Sequence, residues 1–199
     1  MENVKDLLRE MEYYAEKGHV PIINERGRAV FAEIVKKKQP QRILEIGTAI
    51  GYSALLALSL VSAGAEVTTL ELSEERIAAA RRYIDRSPYK DKITIIPGDA
   101  GETLQNLQGK YDLIFIDAAK GQYVDYWHKV QPLLADDGVI IADNVLFRGY
   151  VLGDGAVPRR FRTIVKRLRL YIETIKNTAG FRSEIYENGD GLAVSWRER

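Results

Sequence analysis

The chain has 199 residues, 29 Lys and Arg against 28 Asp and Glu, and 46% apolar residues. That length fits one domain with a core large enough to need no covalent staples. The absence of Cys excludes disulfides, thiolate zinc sites, iron–sulfur clusters and cysteine nucleophiles, and a net charge of +1 argues against bulk attraction to nucleic acid.

In chain order, two amphipathic helices are expected first, over 4–16 and 24–38, with a break at 18–21. The beginning, MENVKDLLRE, has no signal- or transit-peptide pattern, so a cytoplasmic protein is expected. Short strands rich in Ile, Val or Leu follow at 42–46, 66–71, 92–97, 111–117 and 138–142. Helical segments lie between them at 52–62, 73–85, 102–107 and 122–134. Ser73, followed by Glu74 and Glu75, reads as an N-cap with acids in the first helical turn. Continuous apolar strands alternating with helices predict a parallel sheet covered on both faces, a doubly wound, Rossmann-like α/β fold. Residues 46–65 carry no charge and have membrane length, but Gly47, Gly51 and Gly64 and a strand-to-turn boundary make them a buried segment. No membrane association is expected. At the far end, strands at 181–187 and 191–196 flank Asn-Gly-Asp at 188–190, a hairpin signal, so the sheet should finish in antiparallel strands. One domain results: N-terminal helices over 1–40 and a core over 41–199. The glycine-bearing loop 149–157 is a candidate mobile lid.

The run ILEIGTAIGYS (43–53) is a strand, a glycine turn and a helix start, the place where a backbone approaches a ligand. Glu71 ends the next strand, where an acid can take two ribose hydroxyls. Gly47 and Gly51 are spaced G-x-x-x-G and not as the G-x-G-x-x-G of dinucleotide binders. Glu45, inside the strand end, would crowd a pyrophosphate but suits an ammonium group. Asp99 and Ala100, after the third strand, offer an edge for an adenine amino group. This set favours S-adenosylmethionine over a dinucleotide; the bland alternative is a plain βα turn with a surface Glu.

Asp117 ends the fourth strand, and Asp143 with Asn144 ends the fifth, at the sheet edge where open α/β folds bind ligands. Three hard oxygen donors without His or Cys suit Mg²⁺. Lys120, three residues beyond Asp117, is a candidate general base. Singly, a strand-end Asp is more often a cap or turn residue, and a loop Lys is usually solvated; together they converge on one edge.

Charge is uneven: residues 148–199 carry 11 Lys and Arg against 6 acids, whereas residues 1–147 carry 18 against 22. Residues 159–169 hold six cations and no acid, with apolar positions 161, 164, 165 and 168 on one helical face. Arg148, Arg159, Arg160 and Arg162 are therefore candidate contacts to RNA phosphates, with Tyr150 available to stack on a base. A solvated amphipathic helix is the bland alternative. His19 and His128 read as packing or capping residues.

The motifs LEIGTAIGYS (44–53), IDAAK (116–120), ADN (142–144) and DGL (190–192) resemble the cation-dependent class I O-methyltransferases of the catechol and caffeoyl-CoA type. Within that family, HVPII (19–23), DAAKGQY (117–123) and DNVLFR (143–148) are most similar to a bacterial branch that methylates 5-hydroxyuridine at the tRNA wobble position. The resemblance implies cofactor contacts at Ile23, Glu45, Gly47, Ser53, Glu71, Ala100 and Asp117, with Tyr52, Asp99 and Tyr123 as neighbours. It implies Mg²⁺ ligation by Asp117, Asp143 and Asn144, catalysis by Lys120, the tRNA anticodon region as partner, and a homodimer. Ala119 departs from the catechol enzymes, which have a Trp there, and so favours a larger substrate. A small catechol or phenol is the alternative, since 5-hydroxyuridine mimics a catechol in carrying a hydroxyl beside a carbonyl.

Overall fold

The computed structural model describes residues 2–18, 20–153, 155–187 and 189–198. His19 of the 19–23 motif, Asp154 of the 149–157 loop and Asn188 of the hairpin signal lie outside the described residues. The elements are α1 (Val4–Gly18), α2 (Glu25–Lys38), β1 (Arg42–Ile46), α3 (Tyr52–Leu60), β2 (Glu66–Glu71), α4 (Glu74–Ile84), β3 (Ile93–Pro97), α5 (Ala100–Asn106), β4 (Tyr111–Ile116), α6 (Tyr123–Val130), β5 (Leu134–Asp143), α7 (Arg162–Asn177), β6 (Phe181–Tyr186) and β7 (Leu192–Arg197). Seven strands form one sheet in the order β3-β2-β1-β4-β5-β7-β6. The first five pair in parallel, and β7 runs antiparallel to both β5 and β6.

Burial explains why the strands read as unbroken apolar runs. On β1, Ile43 faces a core shared with α1, α2, α3 and α4, while Leu44 and Ile46 face a second core under α5, α6 and α7. Each strand interior thus meets helices on both sides. α3 is apolar nearly all round because it is sunk between the sheet and the N-terminal helices, with Ala54, Leu55 and Ala57 at most 1% exposed. No helix among the described residues is long and apolar enough to cross a membrane.

Several boundaries differ from the sequence expectation, each for a local reason. β3 starts at Ile93 because Lys90–Lys92 close a 3-10 turn. The fifth strand begins at Leu134, four residues early: Leu134 pairs with Tyr111, the register then jumps to Val139 opposite Leu113, and the extra residues form an irregularity. The helix expected over 122–134 stops at Val130, and Pro132 sits in the 3-10 turn that follows. α5 starts at Ala100 because the Asp99 carboxylate accepts from Glu102 N at 3.1 Å and caps it. The Ser73 cap is present, with its hydroxyl accepting from Arg76 N at 3.3 Å.

The strand order reverses between β1 and β4, which opens a crevice at their carboxyl ends. Gly47 stands at this point with φ of 100°, and a Cβ there would lie 2.1 Å from the Asp117 carbonyl oxygen. Neither that φ nor that space admits a side chain. Gly47→Ala should therefore cost on the order of 3 kcal/mol or more through strain and overlap, measured as a lowered denaturant midpoint; a stability equal to wild type would contradict the close approach.

Candidate active site

The crevice is a cleft of about 480 Å³ walled by the ends of β1, β2, β3, β4 and β5. Gly47, Glu71, Asp99, Ala100, Asp117, Lys120 and Asn144 all line it. Seven residues drawn from five strand ends are thus brought together by the sheet. Glu71 is 6% exposed, and its carboxylate accepts from Ala49 N, Leu72 N and Ser73 N, each at 3.0 Å. It therefore ties the β1–α3 turn to the end of β2. Ala49 holds a left-handed φ of 46°, a strained conformation for a residue with a side chain.

Four expected cofactor residues lie behind the wall. Glu45 and Ser53 sit under the turn, where Ser53 Oγ and Thr69 Oγ1 donate to the two Glu45 oxygens. Ile23 is buried in the core beneath the N-terminal helices, and its neighbour Pro21 lines the cleft instead. Tyr52 is likewise outside the cleft lining, with its hydroxyl engaged by α1 and α2. Its hydroxyl donates to Glu12 Oε1 and accepts from Arg28 Nη1 at 2.6 Å. Burial and the Glu12 carboxylate raise its pKa to about 12.

At the β4–β5 end of the cleft, Asp143 is 1% exposed. Its Oδ1 accepts from Asn144 N at 2.7 Å, while Oδ2 is buried without a hydrogen-bond partner among the described residues. Such a lone pair is costly unless a cation takes it. Burial first, and then the Asp117 charge, push the Asp143 pKa up to about 7. Asp117 is also raised by burial, with Lys120 and Arg76 pulling it back, and Lys120 Nζ is 3.8 Å from its Oδ1. Asn144 adopts a left-handed φ of 56° at the strand end. Tyr123 braces this corner from below, its buried hydroxyl donating to the Asp143 carbonyl at 2.9 Å. A buried orphan oxygen beside a second raised carboxylate and an amide is a donor set that fits a hard divalent cation.

The loop beyond Asn144 leads to the basic segment. Arg148 N donates to Asp190 Oδ1 at 3.1 Å, so the β6–β7 turn holds this loop. The Arg148 and Arg160 guanidinium carbons lie 5.5 and 4.6 Å from the Phe161 ring centroid. Arg159, Arg160 and Arg162 are exposed, and none has an ion-pair partner among the described residues.

Sequence reasoning passed over Thr48, Thr69 and Arg76. A threonine inside the glycine turn and another inside the apolar β2 were a signal, because a buried hydroxyl needs a partner. Arg76, which lines the cleft from the first turn of α4, carries no sequence signal of its own.

A mostly parallel sheet with this strand order and antiparallel last strands, a glycine turn and an acid-lined switch-point cleft defines the methyltransferase variety of the Rossmann-like fold. The O-methyltransferase family model matches residues 2–197, and the chain belongs to that family. It is 30% identical over 167 residues to a catechol O-methyltransferase from Niastella koreensis, covering 79% of this chain and 73% of that protein. A Staphylococcus aureus structure provisionally assigned as a caffeoyl-CoA O-methyltransferase superposes with a TM-score of 0.89 at 34% identity, over 96% of this chain and 91% of that one. An SAH-bound Podospora anserina methyltransferase gives 0.84 at 28% identity, over 98% and 88%. Among the first curated relatives, the chain spans between 51% and 73% of their length.

The raised Asp143 gives a pH prediction with a definite sign. Between its ordinary value of 3.8 and about 7, the folded state binds a proton that the unfolded state does not. Metal-free protein should thus be most stable below that window and lose stability as pH rises through it. Melting temperatures in chelator should fall from pH 5 to 7.5, excess Mg²⁺ should offset the fall, and Asp143→Asn should reduce the slope to the share contributed by the other raised acids, Glu45 first. A slope unchanged in Asp143→Asn would count against this assignment.

Proposed function

We propose that the protein is an S-adenosylmethionine- and Mg²⁺-dependent O-methyltransferase acting on 5-hydroxyuridine at the tRNA wobble position. Family membership supports the reaction class, and the orphaned Asp143 oxygen supports a cation. Asp117, Asp143 and Asn144 would hold the metal; Gly47, Glu71, Asp99 and Ala100 would hold the cofactor, with Glu71 taking the ribose hydroxyls. A cation held there would acidify a substrate hydroxyl, and the cofactor would supply an electrophilic methyl group. Lys120 Nζ, at the cleft wall beside Asp117, is the nitrogen available to take the hydroxyl proton. The strand ends do the rest by orientation.

One observation carries the choice of RNA over a small phenol: the exposed arginines 159, 160 and 162, without an ion-pair partner among the described residues, next to the loop that leaves Asn144. A flat catechol has no use for them, whereas anticodon phosphates do. Beside them Tyr150 and Phe147 pack on Phe161, with centroids 5.9 and 5.2 Å apart, an aromatic group on which bases can stack.

Methyl transfer to tRNA bearing 5-hydroxyuridine should proceed with S-adenosylmethionine and Mg²⁺, stop in chelator, and be lost in Asp143→Ala. Nucleoside mass spectrometry reads the product, and methylation of a free catechol with none on tRNA would shift the substrate to the small-molecule class. Replacing Arg159, Arg160 and Arg162 by Gln should weaken tRNA binding and lower its salt-dependence slope by about 0.7 per lost phosphate contact. An unchanged slope would return the basic segment to a solvated face.

A further inference from the structure

Thr48 and Thr69 are 1% and 0% exposed, two of the few polar side chains within the core. Burying a hydroxyl costs free energy unless it is paired, and here the pairing leads to one place. Thr69 Oγ1 donates to Glu45 Oε2 at 2.5 Å and lies 2.6 Å from Thr48 Oγ1. A hydroxyl has a single proton. Thr69 gives its own to the carboxylate, so the proton of the second bond comes from Thr48. Ser53 supplies the other carboxylate oxygen. Glu45 therefore has a hydroxyl against each oxygen, an arrangement that favours its ionised form, while burial pushes its pKa up to about 7.

That charge is held against its surroundings. Glu45 is 2% exposed, and both burial and the neighbouring Asp117 and Glu71 charges act against its ionisation. A core built only for stability would place an apolar side chain there. The parallel register sets Glu45 opposite Thr69, two residues before Gly47, whose backbone forms the cleft wall. The Gly47 and Thr48 amides donate to the Leu70 carbonyl at 2.9 and 3.3 Å, so the residue after Thr69 pins the same turn.

We propose that Thr69 is a positioning residue: with Thr48 it fixes the Glu45 carboxylate under the Gly47 turn as counter-charge for the ammonium group of a bound S-adenosyl cofactor. This rests on the cofactor reading above. Thr69→Val keeps the volume, removes the donor and leaves both Thr48 and one Glu45 oxygen without their partner. Thr69→Ser restores the hydroxyl.

The test is calorimetric titration of the full chain with two probes. S-adenosylhomocysteine carries the ammonium; methylthioadenosine has the same adenosine and thioether but no amino-acid end. Thr69→Val should bind S-adenosylhomocysteine about tenfold more weakly or worse, bind methylthioadenosine within about twofold of wild type, and be rescued by Thr69→Ser. If Thr69→Val does not fold, Thr69→Cys, with a weak donor in place of the hydroxyl, carries the same expectation. Equal weakening of both probes, or a lowered melting temperature with unchanged S-adenosylhomocysteine affinity, would reduce Thr69 to packing and overturn the proposal. Wild-type protein that binds neither probe would overturn the cofactor reading itself.

Discussion

The site depends on one backbone contact: the Cα of Gly47 against the carbonyl of Asp117, so close that a Cβ would stand 2.1 Å from that oxygen. Through it, the turn that leaves β1 and the end of β4 become one piece. Asp117 N donates to the Ile46 carbonyl at 2.9 Å, and Gly47 N donates to the Leu70 carbonyl at the same distance, so β4, β1 and β2 are bolted together where the strand order reverses. The Gly47 turn and Asp117, proposed above as cofactor wall and metal ligand, are thereby fixed relative to each other. The left-handed Ala49 and Asn144 sit on either side of this joint, and the strain they store is tolerated because both flanks are anchored.

Around the joint the fold gathers acids that it only partly neutralises. Glu45, Glu71, Asp117 and Asp143 crowd the carboxyl ends of adjacent strands, and burial raises three of them, Glu45, Asp117 and Asp143. Hydroxyls answer Glu45, backbone amides answer Glu71, and Lys120 answers Asp117, but one oxygen of Asp143 goes unanswered among the described residues. Such a cleft is suited to cationic ligands, and a divalent ion and a sulfonium with an ammonium are both cations. The chain's near-zero net charge hides this polarity, because the loop and helix beyond Asn144 are correspondingly basic.

Two peripheral pieces frame the cleft. The Glu12–Arg28–Tyr52 triad ties α1 and α2 to the first residue of α3, and so holds Pro21 at the cleft wall. On the opposite side, Arg169 of α7 donates to the carbonyls of Tyr150, Val151 and Gly153, at 2.9 to 3.1 Å. The glycine-bearing loop is thus strapped to a helix at its near half, and Arg148 is carried at a defined place above the strand ends.

Local chemistry in the sequence determined the alternating elements, the glycine turn and the strand-end acids. Period, composition and capping residues such as Ser73 act over a few neighbours and can be read there. The sequence also put Asp117, Asp143, Asn144 and Lys120 at strand ends, which in a parallel sheet share one edge. Only the tertiary structure decided what faces what. It inserted β7 between β5 and β6, turned Tyr52 toward Glu12 and Arg28, and gave the Gly47 freedom to a carbonyl of the neighbouring strand. It also set Thr69 opposite Glu45. These outcomes depend on pairings between residues tens of positions apart, where strand register and the cost of burying an unpaired polar group, not local propensity, choose the partner.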